Sequence, residues 1–238
     1  MEQNHDDAAP EKETQGKSVG TNGGRRFMRL NLSERVQHGM MAGCFTILAI
    51  TGLILKLPGE IVIKLGDARE LVFSIRAVVH LTFGTIMILT CIYHIFYVLF
   101  RRPGRRWLVD MLPRRKDAQD LIGNMLYLLG VRKTPPQFDR FSYKEKMEYF
   151  AMIAGSALMS LTGIILWTEF FWSRFVLDIA IVVHGMEAMM ACLAVITWHM
   201  YEVFLKPRKF PIHDLWITGE MEEEEMKLEH PLYYERIM

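Results

Sequence analysis

Cysteine is scarce in this chain: three residues of 238, Cys44, Cys91 and Cys192, each inside an apolar run. A thiol in that setting packs as a small hydrophobe. No disulfide framework is available, and without a Cys-x-x-Cys-His run covalent haem attachment is not indicated; cysteine-bound metal clusters fail for the same want. Net charge is nearly absent too, 28 Lys and Arg against 27 Asp and Glu, which leaves no polyelectrolyte to attract nucleic acid. The start lacks an apolar core: residues 1–26 are polar, with His5, Lys12, Lys17 and Arg25 among acids and glycines. They read as a disordered or partner-bound tail, and the first apolar run then acts as an uncleaved insertion signal.

Apolar length is what the chain does have. Four runs, about 37–57, 77–100, 147–168 and 175–205, can each cross a ~30 Å hydrocarbon core at ~1.5 Å per residue. The expected fold is an all-α membrane protein, a four-transmembrane-helix bundle over 31–206, with a polar tail at 1–30 and another at 207–238. The segment 101–146 holds Arg101, Arg102, Arg105, Arg106, Arg114, Arg115, Lys116, Arg132, Lys133, Arg140, Lys144 and Lys146. By the positive-inside rule it is cytoplasmic, which puts both termini there as well. Leu121, Ile122, Met125, Leu126, Leu128 and Leu129 cluster within 117–129 as a short amphipathic helix for the membrane surface or a partner. The third crossing ends in Trp167, Phe170, Phe171 and Trp172, an interfacial aromatic belt.

Histidine inside hydrocarbon is costly and so marks function. His184 and His199 lie fifteen residues apart in the fourth run, and His80 and His94 fourteen apart in the second. At ~1.5 Å and ~100° per residue, each pair is about 21–22 Å apart along its helix and within about 60° of one face. Second and fourth crossings are parallel, so His80 meets His184 and His94 meets His199, two levels at which a pair of imidazoles could clamp one haem iron. His38 in the first crossing stands at the cytoplasmic level and competes with His94 to face His199. Arg35, one turn outside His38, suits a haem propionate or simply a topology-fixing flank. Glu187, three residues after His184, would relay protons or be neutralised by Arg76. Gly43, Gly52, Gly155, Ser156, Ser160 and Gly163 allow close helix approach. The acidic run Glu220–Glu225 beside His230 reads as a solvated tail or docking surface, and His213 as interfacial.

Several runs then form an ordered set: Ser-Glu-Arg-Val-Gln-His (33–38), Val-Val-His-Leu-Thr-Phe-Gly (78–84), Arg-Phe-Ser-Tyr-Lys-Glu-Lys-Met-Glu-Tyr (140–149), Val-Val-His-Gly-Met-Glu-Ala (182–188) and Trp-His-Met-Tyr (198–201). Over about residues 27–238 the chain resembles the membrane cytochrome b (gamma) subunits of respiratory formate dehydrogenases. Lys-Phe-Pro-Ile-His-Asp (209–214) and Glu-His-Pro-Leu-Tyr-Tyr-Glu-Arg (229–236) look like the relatives associated with multihaem cytochromes c. The resemblance implies a protein of the bacterial inner membrane with two haem b, which passes electrons between the quinone pool, menaquinone or ubiquinone, and a periplasmic-side redox subunit, a multihaem cytochrome c or an iron–sulfur protein. Carried over, one haem uses His80 with His184 and the other His38 with His199. The two-helix ladder of quinol:cytochrome c oxidoreductase cytochrome b would instead choose His94 with His199. Tyr143, Lys144, Glu148 and Tyr149 are where a quinone pocket is expected. A non-redox membrane anchor, with its histidines in interhelical hydrogen bonds, is the rival class, and a transporter would need inverted repeats or broken helices.

Overall fold

The computed structural model describes residues 18–19, 24–206 and 214–238. His5, Lys12, Lys17 and His213 lie outside the described residues. Four long helices carry the apolar runs: α1 (Leu32–Leu53), α3 (Ala68–Phe100), α6 (Tyr143–Trp167) and α7 (Arg174–Ala194, continued by two π-helical turns, Val195–His199 and Tyr201–Leu205). A short α2 (Gly59–Lys64) lies between α1 and α3. All four long helices start before the apolar runs read from sequence, α3 by nine residues. Polar caps explain two of these starts: Asn31 and Ser142 each accept from the backbone three residues on, while Glu34 and Glu145 return the bond.

Helix α1 packs along α3 and α6 along α7, with few contacts between the two hairpins. Only 6% to 17% of the most apolar stretch of each helix is buried in the bundle. That much outward apolar surface requires lipid, and helices are the element that satisfies its own backbone there. The protein is a multi-pass membrane bundle. Trp167, Phe170, Phe171 and Trp172 stand exposed at one end, here the far end.

The opposite, basic end is covered. Helices α4 (Arg102–Met111) and α5 (Arg115–Leu128) fold over it. Buried Lys146 fastens them, donating to Asp117 at 2.9 Å and to the Leu112 carbonyl at 3.2 Å. The apolar residues read on α5 are exposed, as expected for a surface helix. The two tails are not loose where they are described. Strand β2 (Arg25–Met28) pairs antiparallel with β1 (Ser18–Val19) and with β3 (Glu220–Glu222). With α8 (Leu215–Thr218), α9 (Glu223–Glu229) and α10 (Pro231–Ile237) they enclose Phe27, Met221, Met226 and Tyr233. Half the acidic run is thus strand, and His230 is buried, donating through Nδ1 to the Asp139 carbonyl at 2.7 Å. Burial, then the nearby Arg29 guanidinium, pushes its pKa down. Arg29, also buried, donates to the Arg140 carbonyl at 2.6 Å and stacks on Phe141 and Tyr233. The sequence carries little sign of this packing: Phe27 and Met28 follow two arginines, and Met226, Tyr233 and Ile237 are spaced seven and four apart, too short a pattern to separate from a tail.

Candidate haem site between the hairpins

Two pairs of imidazoles face each other across the gap between hairpins. His80 of α3 and His184 of α7 have ring centroids 6.4 Å apart, and His38 of α1 and His199 of α7 have centroids 6.2 Å apart. An iron held by two imidazoles needs two metal–nitrogen bonds of about 2 Å, plus about 1 Å from each nitrogen to its ring centre, roughly 6 Å in all. Both gaps fit that requirement.

The hydrogen bonds around the far pair decide which nitrogen is free. Thr51 Oγ1 lies 2.7 Å from His80 Nδ1, and Thr162 Oγ1 lies 2.9 Å from His184 Nδ1. Each hydroxyl has one hydrogen and donates it down its own helix, Thr51 to Ile47 and Thr162 to Leu158, both at 2.8 Å. Toward its imidazole each can therefore only accept, so Nδ1 carries the proton and Nε2 keeps its lone pair for a metal. The next residues, Gly52 and Gly163, make room: a Cβ there would meet Cε1 of His80 at 3.7 Å and of His184 at 3.5 Å. At the basic end, His199 Nδ1 faces the Glu148 carboxylate at 3.3 Å, the corresponding arrangement with an anion as acceptor.

His94 is engaged at both nitrogens. Nδ1 lies 2.8 Å from Gln37 Oε1 and Nε2 3.0 Å from the Tyr149 hydroxyl, with Trp107 edge-on at 5.8 Å. It does not stand opposite His199. The four residues read together on α6 are split: Lys144, paired with Glu202 at 3.4 Å, and Glu148 line the α7 side. Tyr149 turns to α3, and buried Tyr143 accepts from Asn124 of α5 at 3.0 Å. Arg76 and Glu187 make no ion pair among the described residues. The one precedes His80 by a turn and the other follows His184 by nearly a turn, about 10 Å apart along parallel helices; the Glu187 carboxylate lies against Gly155 instead.

Unspent donors surround both pairs. Arg35 donates one guanidinium hydrogen to the Ile217 carbonyl, but its Nε is buried without an acceptor among the described residues, as is Nε1 of Trp216, whose ring lies 6.2 Å from His38. Arg76 Nε, one turn from His80, is in the same state. Lys56 reaches to 3.7 Å from where a Cβ on Gly185 would lie, beside His184. Carboxylates of a macrocycle set between the rings would satisfy such groups. Thr51, Thr162, Lys56 and Trp216 were not read from sequence as part of a site, and Arg76 only as a partner for Glu187; the recurrence of Thr-Gly at 51–52 and 162–163 was the available sign for the threonines.

A family model described as prokaryotic cytochrome b561 matches residues 29–211. Among curated proteins, the formate dehydrogenase cytochrome b556(fdo) subunit of Escherichia coli (strain K12) is 22% identical over 218 residues, 89% of this chain and 93% of that protein. The formate dehydrogenase cytochrome b556 subunit of Haemophilus influenzae (strain ATCC 51907 / DSM 11121 / KW20 / Rd) is 25% identical over 215 residues, 88% of this chain and 82% of that protein. The matched segment takes in all four long helices and every paired histidine, and the chain belongs to the prokaryotic cytochrome b561 family.

Proposed function

We propose that this cytochrome b is the diheme subunit of a respiratory complex of the formate dehydrogenase type, with His80 and His184 holding one haem b and His38 and His199 the other. The observation that carries the reading is the two opposed imidazole pairs at 6.4 and 6.2 Å. His94 is left out because Gln37 and Tyr149 occupy its nitrogens. The levels are about 20 Å apart, thirteen residues of α1 from His38 to Thr51, so the pair of sites spans most of the hydrocarbon core. Bound haem b supplies a one-electron iron couple at each level. The protein's own part is to fix the imidazole tautomers through Thr51, Thr162 and Glu148, to neutralise propionates with Arg35 at one end and Arg76 at the other, and to keep water out.

The basic end faces the cytoplasm on this reading, with both termini there. Quinone exchanges beside His199, where Lys144, Glu148 and Glu202 offer a donor and proton acceptors; Tyr143 and Tyr149 border this region from other faces of α6. A quinol giving up two electrons also gives up two protons, and the Glu148 and Glu202 carboxylates are placed to take one each. The far end docks a periplasmic redox subunit, a multihaem cytochrome c or an iron–sulfur protein. Haem content and reduced-minus-oxidised absorbance of the purified wild type, His38→Ala and His94→Ala forms test this. Two haems in the wild type, one of them lost in His38→Ala and none in His94→Ala, are expected. Loss only in His94→Ala overturns the pairing, and a well-folded wild type without haem overturns electron transfer.

A further inference from the structure

The first and third membrane helices repeat each other at a fixed interval of 111 residues. Between 27–55 and 138–166 eight of 29 positions are identical: Phe27/Phe138, Arg29/Arg140, Glu34/Glu145, Met41/Met152, Thr51/Thr162, Gly52/Gly163, Ile54/Ile165 and Leu55/Leu166. The same interval joins the two capping boxes, Asn31 to Ser142. Helices α3 and α7 repeat Val-Val-His at 78–80 and 182–184, and their second histidines differ by one residue of spacing. That residue is accommodated where α7 turns π-helical, Val195–His199, as a single insertion in a helix would be.

Contacts obey the same relation. Thr51 bonds His80 within one hairpin and Thr162 bonds His184 within the other. Arg29 donates to the Arg140 carbonyl, and Arg140 donates back to the Arg29 carbonyl at 3.5 Å. Reciprocal bonds of this kind are what a twofold axis produces. Because α1 and α6 run in the same direction, the axis lies along the bundle and the repeat is parallel.

This relation carries His38, His199 and Glu148 onto Tyr149, His94 and Gln37. Each member makes the equivalent contact: Glu148 faces Nδ1 of His199 and Gln37 faces Nδ1 of His94, while His38 stands across from His199 and Tyr149 across from His94, with ring centroids 5.8 Å apart. Each set has a tryptophan at its side, Trp216 against His38 and Trp107 against His94 and Tyr149, and both indole nitrogens are buried without an acceptor among the described residues.

We infer that the bundle is a duplicated helical hairpin and that His94, Tyr149 and Gln37 form the twin of the basic-end haem clamp, a third haem b site closed by the tyrosine. The inference rests on the proposed role of His38 and His199. Tyr149 closes the site because its hydroxyl bonds His94 Nε2 directly at 3.0 Å, short of the about 4 Å that two iron–nitrogen bonds need. A histidine is the shorter side chain and brings the missing nitrogen.

The test is haem per chain, by pyridine haemochrome and by low-spin haem signals, in the full protein purified from membranes. Wild type is compared with Tyr149→His, with Tyr149→His/Trp107→Ala, which also clears the flanking indole, and with Tyr149→His/His94→Ala. A gain of one haem per chain in either of the first two variants, abolished by His94→Ala, is the expected result. Two haems throughout overturns this inference alone. Failure of both variants to accumulate also counts against it, because the twofold requires position 149 to accept a histidine as position 38 does. A haem-free wild type would instead refute the reading of His38 and His199.

Discussion

Replacing Thr51 or Thr162 by valine tests the far site with almost no change in shape. Each threonine is nearly inaccessible, 7% and 5% exposed, so no water can take the place of the lost hydroxyl. The imidazole Nδ1–H of His80 or His184 then loses its acceptor. A buried donor left unsatisfied costs about 1–3 kcal/mol, which at ~1.4 kcal/mol per tenfold is roughly 5- to 150-fold in affinity. Loss of a partner behind a metal-ligating histidine typically costs about 10- to 100-fold, in the same range. The part of the cost felt by the folded protein without haem is small if the freed ring rotates, so most of it falls on haem binding. Haem retention during a detergent wash, read as α-band absorbance per protein, is the assay. Each valine variant is expected to lose the far haem at least tenfold faster while keeping the basic-end haem, and Thr→Ser, which restores the hydroxyl, to recover retention. The two valines together act on ligands of one iron, so their effects will not add. Wild-type retention in both valine variants, or serine variants as weak as valine, would refute the tautomer argument.

Glu148→Gln keeps the hydrogen bond to His199 Nδ1 but removes the charge that makes the imidazole a stronger donor, so the midpoint potential of the basic-end haem should rise, by a few tens of millivolts since both side chains are about a third exposed; a redox titration that moves the far haem equally, or neither, contradicts it. His230 gives the cap formed by the two packed tails at the basic end a pH dependence. Its native pKa lies below the ordinary value of about 6.5, so the folded cap binds fewer protons than the unfolded one, and its stability is full above about pH 6.5 and lost as pH falls through the native value. Protease cleavage after residue 214 should therefore quicken between pH 7 and pH 5, and His230→Gln should flatten that change.

Helix number and the histidines on these helices were legible because hydropathy over twenty residues is a strong signal and an imidazole in hydrocarbon is rare, whereas the helix starts were not, α3 beginning nine residues before its apolar run. The cap was not. Its core is four residues contributed by stretches nearly two hundred positions apart, Phe27 against Met221, Met226 and Tyr233, and no local periodicity announces such a contact. Thr51 and Thr162 were hidden for a different reason: a threonine in a membrane helix usually bonds its own backbone, and these do so as well, so only the recurrence of Thr-Gly at 51–52 and 162–163 marks them out from other membrane threonines.

The choice between His38 and His94 shows where reading along a helix stops. Matched intervals of fourteen and fifteen residues suggested that α3 and α7, which meet at His80 and His184, meet again at His94 and His199. Fourteen residues, however, leave a straight helix turned by about 40°. Two helices related by an axis between them turn in the same sense, so rings that face each other on the axis at one level each move off it at the next, toward different neighbours. The structure has this outcome: His94 addresses Tyr149 of α6 and His199 addresses His38 of α1. A ladder of two helices would need the intervals to return each ring to its starting face, about eighteen residues at ~100° apiece. With fourteen, a second clamp has to recruit another helix, and the ring that each possible recruit offers is histidine at 38 and tyrosine at 149.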